Sequence, residues 1–189
     1  MKFIFSIIFF SFIIVFQIKA QKIQRKDAVQ ALNFIDSLII PLKPAANNLV
    51  AYFQKANADA NTTNNYKLHK NRIDSLTQYY NALILVYDKA IKNATLNKTL
   101  NNFQSLKSNF LNLLTEGRKP WVKIIPVYIK MFKNGRTSLS ISEQNLIDIS
   151  GSIFNSSAQK ALEWSNVVAA QEDEIAKKYN LQLYNDSYK

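Results

Sequence analysis

AVQALNFIDSLIIPLKPAANNLVAYFQKA, residues 28–56, places apolar side chains at Ala28, Leu32, Ile35, Ile39, Leu42, Ala46, Leu49, Phe53 and Ala56. The steps alternate between four and three, which keeps one apolar stripe along one side of a helix. Pro41 and Pro44 stand in its middle. Each removes a backbone donor and crowds the preceding turn, at about 3 kcal/mol in a helix interior. Unrelated helices would not share phase across such a break. The spacing therefore predicts one helical segment from about Lys22 to Asn57, kinked or broken at Pro41/Pro44 and restarting near Pro44.

The same spacing recurs downstream. A second stripe runs through Ile73, Leu76, Tyr80, Leu83, Tyr87, Ala90 and Ala94, predicting a helix from about Tyr66 to Ala94. A third holds Leu96, Leu100, Phe103, Leu106, Phe110 and Leu114. Asn57 to Asn65, NADANTTNN, is polar and aperiodic and reads as a surface loop. The turn KNATLN is short, so the third helix should fold back antiparallel, with Thr95 or Asn97 capping it. Gly117 suits a helix end and Pro120 the first turn of the next helix, which gives a fourth segment over Pro120–Lys133. SISEQ offers a capping box from Ser140 to Glu143. A last helical region reaches about Asn180, with an interruption expected around Gly151 and the small residues of SGSIFNSSA. With only 3 Gly and 4 Pro in the chain, the reading is an all-α antiparallel helical bundle of four to five helices.

The amino end carries a different signal. Lys2 precedes an apolar run from Phe3 to Phe16, and Ala20 follows as a small residue. A basic start, an apolar middle and a small exit residue are the parts of a secretory signal, and the run is shorter than the ~20 residues of a spanning helix. The expected organisation is a cleaved signal peptide at 1–20, one helical-bundle domain at 21–180 and a frayed tail at 181–189. The expected location is secreted or periplasmic; uncleaved, the same segment would anchor the chain. No other long apolar run exists, so the mature chain should have no transmembrane span.

Composition narrows the partners. There are 24 Lys+Arg against 13 Asp+Glu, a net charge of +11. Outside the cytoplasm such a surface meets an acidic protein, an anionic lipid or an acidic polysaccharide, and nucleic acid is not an expected partner. The absence of Cys removes thiol catalysis, zinc–thiolate sites and iron–sulfur clusters. His69 is the only His and no Glu-x-x-His occurs, which disfavours a di-iron centre; a serine triad would need His69 as its base, and the sequence has no Gly-x-Ser-x-Gly elbow. No Gly-rich phosphate loop occurs. No cofactor or metal is expected, and these gaps weigh against an enzyme. An acid–base site could assemble only from carboxylates such as Glu116, Asp148 or Glu163. Glu172, Asp173 and Glu174 point about 100° apart on a helix, and Asp173–Lys177 and Glu174–Lys178 at i,i+4 predict a solvated face.

One stretch combines charge with aromatic side chains: GRKPWVKIIPVYIKMFKNGR, residues 117–136. On a helical wheel Trp121, Ile125, Tyr128 and Phe132 share a side, while Lys123, Lys130 and Lys133 collect opposite with Pro126. Arg118, Lys119 and Arg136 flank the ends. The candidate contact patch is Arg118, Lys119, Trp121, Lys123, Tyr128, Lys130, Lys133 and Arg136. It supports two expectations. One is a non-enzymatic binding or structural protein working through a helical surface or an apolar groove. The other is a membrane-surface or lipid-binding role for residues 118–136.

Overall fold

The computed structural model describes residues 24–62 and 66–181 of the chain. The expected signal peptide lies outside these residues, as does all but the first residue of the expected tail. The described chain is all-α. Helix α1 covers residues 24–39, and α2 (Leu42–Thr62), α3 (Tyr66–Leu96), α4 (Gln104–Asn134), α5 (Ile141–Asp148) and α6 (Ser150–Tyr179) follow.

These helices form four antiparallel rods. Tyr52 of α2 stacks on Tyr79 of α3 at 4.3 Å, and Arg72 of α3 reaches back to Asp59 near the end of α2. The α3 and α4 rods are joined by Lys107 Nζ donating to the Thr95 carbonyl (2.5 Å) and by Arg118 on Asp88 (2.8 Å). The α4 and α6 rods are joined by Asn109 on Gln171 (3.0 Å) at one end and by Trp121 against Phe154 (5.0 Å) further along. Helix α1 closes the ring. Its Arg25 donates to the Asn180 carbonyl (3.4 Å), and its Asp27 accepts from Asn102 (3.0 Å).

Asp27 meets Asn102 just before α4 begins, and Phe53 meets Tyr128 and Phe132 near its far end. Helices α1 and α2 thus run in one direction beside α4, as successive parts of a single rod. This explains why the stripe of residues 28–56 keeps phase. The break falls at Ile40–Pro41, and Pro44 sits in the first turn of α2, where a missing N–H has no intrahelical partner to lose. Ile35, Leu49, Leu76, Leu83, Leu106, Phe110 and Ile125 are fully buried at the bundle centre.

The expected helix end at Gly117 and the new start at Pro120 do not occur. Helix α4 runs unbroken for 31 residues through Gly117, Pro120 and Pro126. Gly117 serves a close approach instead: a Cβ there would lie 2.9 Å from the Tyr87 hydroxyl. Among the described glycines only Gly135, just past α4, has positive φ (82°). The run VKIIPVYI is helical throughout, although it is rich in β-branched residues and holds Pro126.

The expected loop also shrinks, since α2 continues through Asn57 to Thr62. Asp59 accounts for this, because its carboxylate holds both Arg72 and His69 (3.3 Å) of α3 and ties the last turns of α2 down. His69 is accordingly a packed residue. At the other end of α3, Asn97 Oδ1 accepts from the Leu100 N–H (2.9 Å).

The capping box forms as expected: Ser140 Oγ accepts from the Glu143 N–H (3.3 Å), and Glu143 accepts from the Ser140 N–H (2.7 Å). The last helical region breaks at Ile149, and α6 then carries Gly151 and the serines without interruption. Asn180, in the left-handed region at φ 50°, ends α6, with the Leu181 N–H donating to the Ala176 carbonyl (2.8 Å).

Candidate functional site

Helix α4 presents Trp121, Ile125, Tyr128 and Phe132 inward because they recur at steps of four, three and four. Helices α2 and α6 flank α4 on either side of this stripe. Val50 and Phe53 of α2, Trp121 and Ile125 of α4, and Phe154 of α6 line an open apolar groove of about 190 Å³. No polar group lines it.

Its walls are held by aromatic contacts of known preference. Trp121 meets Phe154 edge-on, at 5.0 Å and 68°. Behind it, Tyr128 meets Phe53 at 4.8 Å and 87°. Ser150 Oγ already donates to the Ile147 carbonyl (2.7 Å), so Tyr128 donates its hydroxyl proton to Ser150 Oγ (3.0 Å). That bond fixes Tyr128 and ties α4 to the start of α6. On the α3 side, burial pushes the Tyr87 hydroxyl pKa up, and a hydrogen bond with Trp121 opposes the shift. Trp121 is half-buried, with its ring in the groove wall.

The eight candidate residues do not form one patch. Arg118 is spent on Asp88 (2.8 Å), Lys119 on Glu116 (2.9 Å) and Arg136 on Asp148 (2.6 Å). Lys130 donates to both oxygens of Glu143 (2.8 Å each). Lys123 and Lys133 have no ion-pair partner among the described residues. Lys119, Val122, Lys123 and Pro126 form the exposed outer face of α4, while Trp121 and Tyr128 turn inward. The cations and the aromatic groups are thus on different sides of the helix.

Lys130 matters locally. Together with the two Ser140 bonds it pulls Glu143 down to a pKa of about 2, the Lys130 contact being the largest cause. This pins the two-turn α5 onto α4.

The carboxylates considered for acid–base chemistry are dispersed. Glu116 and Asp148 are ion-paired on α4 and α5, and Glu163 is exposed on α6. Among the described residues no cluster of three or more His, Asp or Glu is placed to hold a metal ion.

The expected solvated face at Glu172–Glu174 differs in detail. Neither Asp173–Lys177 nor Glu174–Lys178 closes to an ion pair among the described residues. Glu172 turns into the α1–α6 interface, where burial first, then the charges of Asp36 and Asp173, push its pKa up to about 7. Asp36 is itself raised by burial.

Sequence reasoning placed Phe53 on a stripe and Trp121 and Tyr128 in the candidate patch, but it missed Val50 and Phe154. Val50 is off the stripe and 39% exposed. Phe154 sits in the Ser-rich stretch read as an interruption, whose continuity with the following helix was the available signal. Searches of protein-family models, of characterised proteins and of solved structures found no match to this chain. Among the described residues no helix is long and apolar enough to cross a membrane.

Proposed function

We propose that this protein is an exported, non-enzymatic binding protein that takes a small apolar group into the groove between α2, α4 and α6. The observation that carries the reading is the lining of that groove: five apolar side chains and no polar atom, around about 190 Å³. A buried apolar cavity of about 150 Å³ is large enough for benzene or xenon, which sets the size of group the groove can take. The groove therefore suits a single aromatic ring or a short aliphatic chain, which loses little by leaving water. A polar ligand would find no partner there, and each stranded hydrogen-bonding group would cost about 1–3 kcal/mol. Export rests on the composition of residues 1–20.

The membrane-surface alternative asks for aromatic side chains and free cations on one face. Trp121 and Tyr128 facing inward, with four of the six cations paired to acids, favour the groove instead.

The test uses the Trp164→Phe variant of the mature chain, in which Trp121 is the remaining indole. Titration with toluene should change Trp121 emission saturably, and Val50→Phe, which fills the groove, should abolish the change. A linear, non-saturating response, or an unaltered response in Val50→Phe, would overturn the reading. A shift of Trp121 emission on anionic vesicles at low salt, without a toluene response, would favour the lipid surface.

A further inference from the structure

Tyr52 of α2 and Tyr79 of α3 stack with ring centroids 4.3 Å apart and planes 27° from parallel. Their hydroxyls lie at the same end of the stack: hydrogen bonding to the Tyr52 hydroxyl, then its charge, pushes the Tyr79 pKa up. Lys55 Nζ lies 4.9 Å from the Tyr52 ring centroid, so Tyr52 is held between an ammonium and a second phenol. Both tyrosines are half-buried, which leaves them within reach of small solutes. Among the described residues no other two tyrosine rings are in contact; Tyr128 meets Phe53 and Phe132 instead.

This arrangement bears on one-electron chemistry. A phenol that loses an electron and its proton becomes a neutral phenoxyl radical. The spin rests on the oxygen and on the ring carbons ortho and para to it. In tyrosine the para carbon carries the side chain, so two phenoxyls join through ortho carbons. Stacked rings with their hydroxyls together bring those carbons against each other. Fixed proximity of this kind turns an encounter of two chains into a step within one.

We propose that Tyr52 and Tyr79 are an oxidative cross-linking site, which a one-electron oxidant such as a peroxidase intermediate converts to a dityrosine joining α2 to α3. Each phenol gives up one electron and one proton; the electrons reduce two equivalents of the oxidant and the protons pass to water. One C–C bond forms between the ortho carbons. Each ortho hydrogen then moves as a proton to its phenol oxygen, and the rings regain aromaticity. The product is the same chain less two hydrogen atoms. With no Cys the chain has no disulfide to make. The new bond closes the loop from α2 to α3 and restricts the unfolded chain as a disulfide does.

The experiment oxidises the mature chain, at low micromolar concentration, with tris(bipyridyl)ruthenium, persulfate and light. It reads dityrosine fluorescence, chain mass and cross-linked peptides. The product should be monomeric, fluorescent and two hydrogen atoms lighter, with Tyr52 joined to Tyr79, and its urea midpoint should lie above that of the untreated chain. Tyr52→Phe and Tyr79→Phe each keep a ring in the stack but remove a phenol, so each should drop the monomer's fluorescence to background. Tyr80→Phe should leave it unchanged. The proposal falls if no dityrosine forms, if only dimers form, or if the bond joins other tyrosines. It also falls if Tyr52→Phe retains the monomeric product, if the same pair forms equally well in the urea-unfolded chain, or if the cross-linked chain is no more stable.

Discussion

Gly117→Ala separates a glycine used for helix packing from a glycine used to end a helix. Replacing Gly by Ala inside a helix gains about 1 kcal/mol, because the unfolded chain loses freedom. At Gly117 the added methyl would sit 2.9 Å from the Tyr87 hydroxyl and 3.5 Å from the nearest ring carbon. Tyr87 is only 9% exposed, so its ring has little room to move aside. Overpacking of this kind costs about 1–3 kcal/mol. The net expectation is a loss of about 1 kcal/mol.

In a Tyr87→Phe background the hydroxyl is gone and the remaining contacts, at 3.5 Å and 3.6 Å, are ordinary. There Gly117→Ala should stabilise, so the double-mutant cycle should show a coupling of about 2 kcal/mol. The assay is urea unfolding followed by far-ultraviolet circular dichroism. Gly151→Ala is the control: nothing lies within 4 Å of its added methyl, and it should stabilise by about 0.5–1 kcal/mol. A cycle that closes to within about 0.5 kcal/mol would refute the reasoning, because distant sites add to that precision.

Two further predictions concern pH. Glu172 has its folded-state pKa raised from 4.5 to about 7, so the folded state holds the extra proton between those values. Stability should fall as pH rises through that window, and Glu172→Gln should flatten the slope. At pH 8 the variant should gain about 1–2 kcal/mol, a figure reduced from the full linkage value because water reaches the half-buried carboxylate. An unchanged slope between pH 5 and 7 in denaturant titrations would contradict the burial of Glu172 against Asp36. Glu143 behaves oppositely: its pKa is lowered from 4.5 to about 2, so its contribution is present above 4.5 and lost as pH falls toward 2. Glu143→Gln should weaken the acid-limb dependence and raise amide exchange at the start of α5; equal exchange in variant and wild type would contradict the capping box.

Much of the architecture was legible because helical periodicity is a local signal. The stripe of residues 28–56 carried both the rod and the position of its break, since phase survives where two helices continue along one line. The Ser140–Glu143 box was likewise readable, because both its partners lie within one turn. The misread elements depend on distant neighbours. Gly117 and Pro120 look like a helix boundary until Tyr87 of α3 is seen to occupy the space above Gly117. Asn57–Thr62 looks like a loop until Asp59 is seen held by α3.

The candidate site was half-legible for the same reason. The helical wheel of α4 grouped Trp121 with Ile125, but nothing local says that Val50 and Phe154 complete the wall around them. Nor does local spacing say which Lys and Arg side chains will be taken by acids on α3 and α5.

Helices α2, α4 and α6 hold an open apolar groove beside Trp121. Xenon reports on it directly, since it binds apolar sites of this size and shifts the methyl signals around them. Under xenon pressure the methyl resonances of Val50 and Ile125 should move saturably, and Val50→Phe should suppress the movement at Ile125. Methyl shifts spread evenly over the core, or none at Val50 and Ile125, would contradict the account.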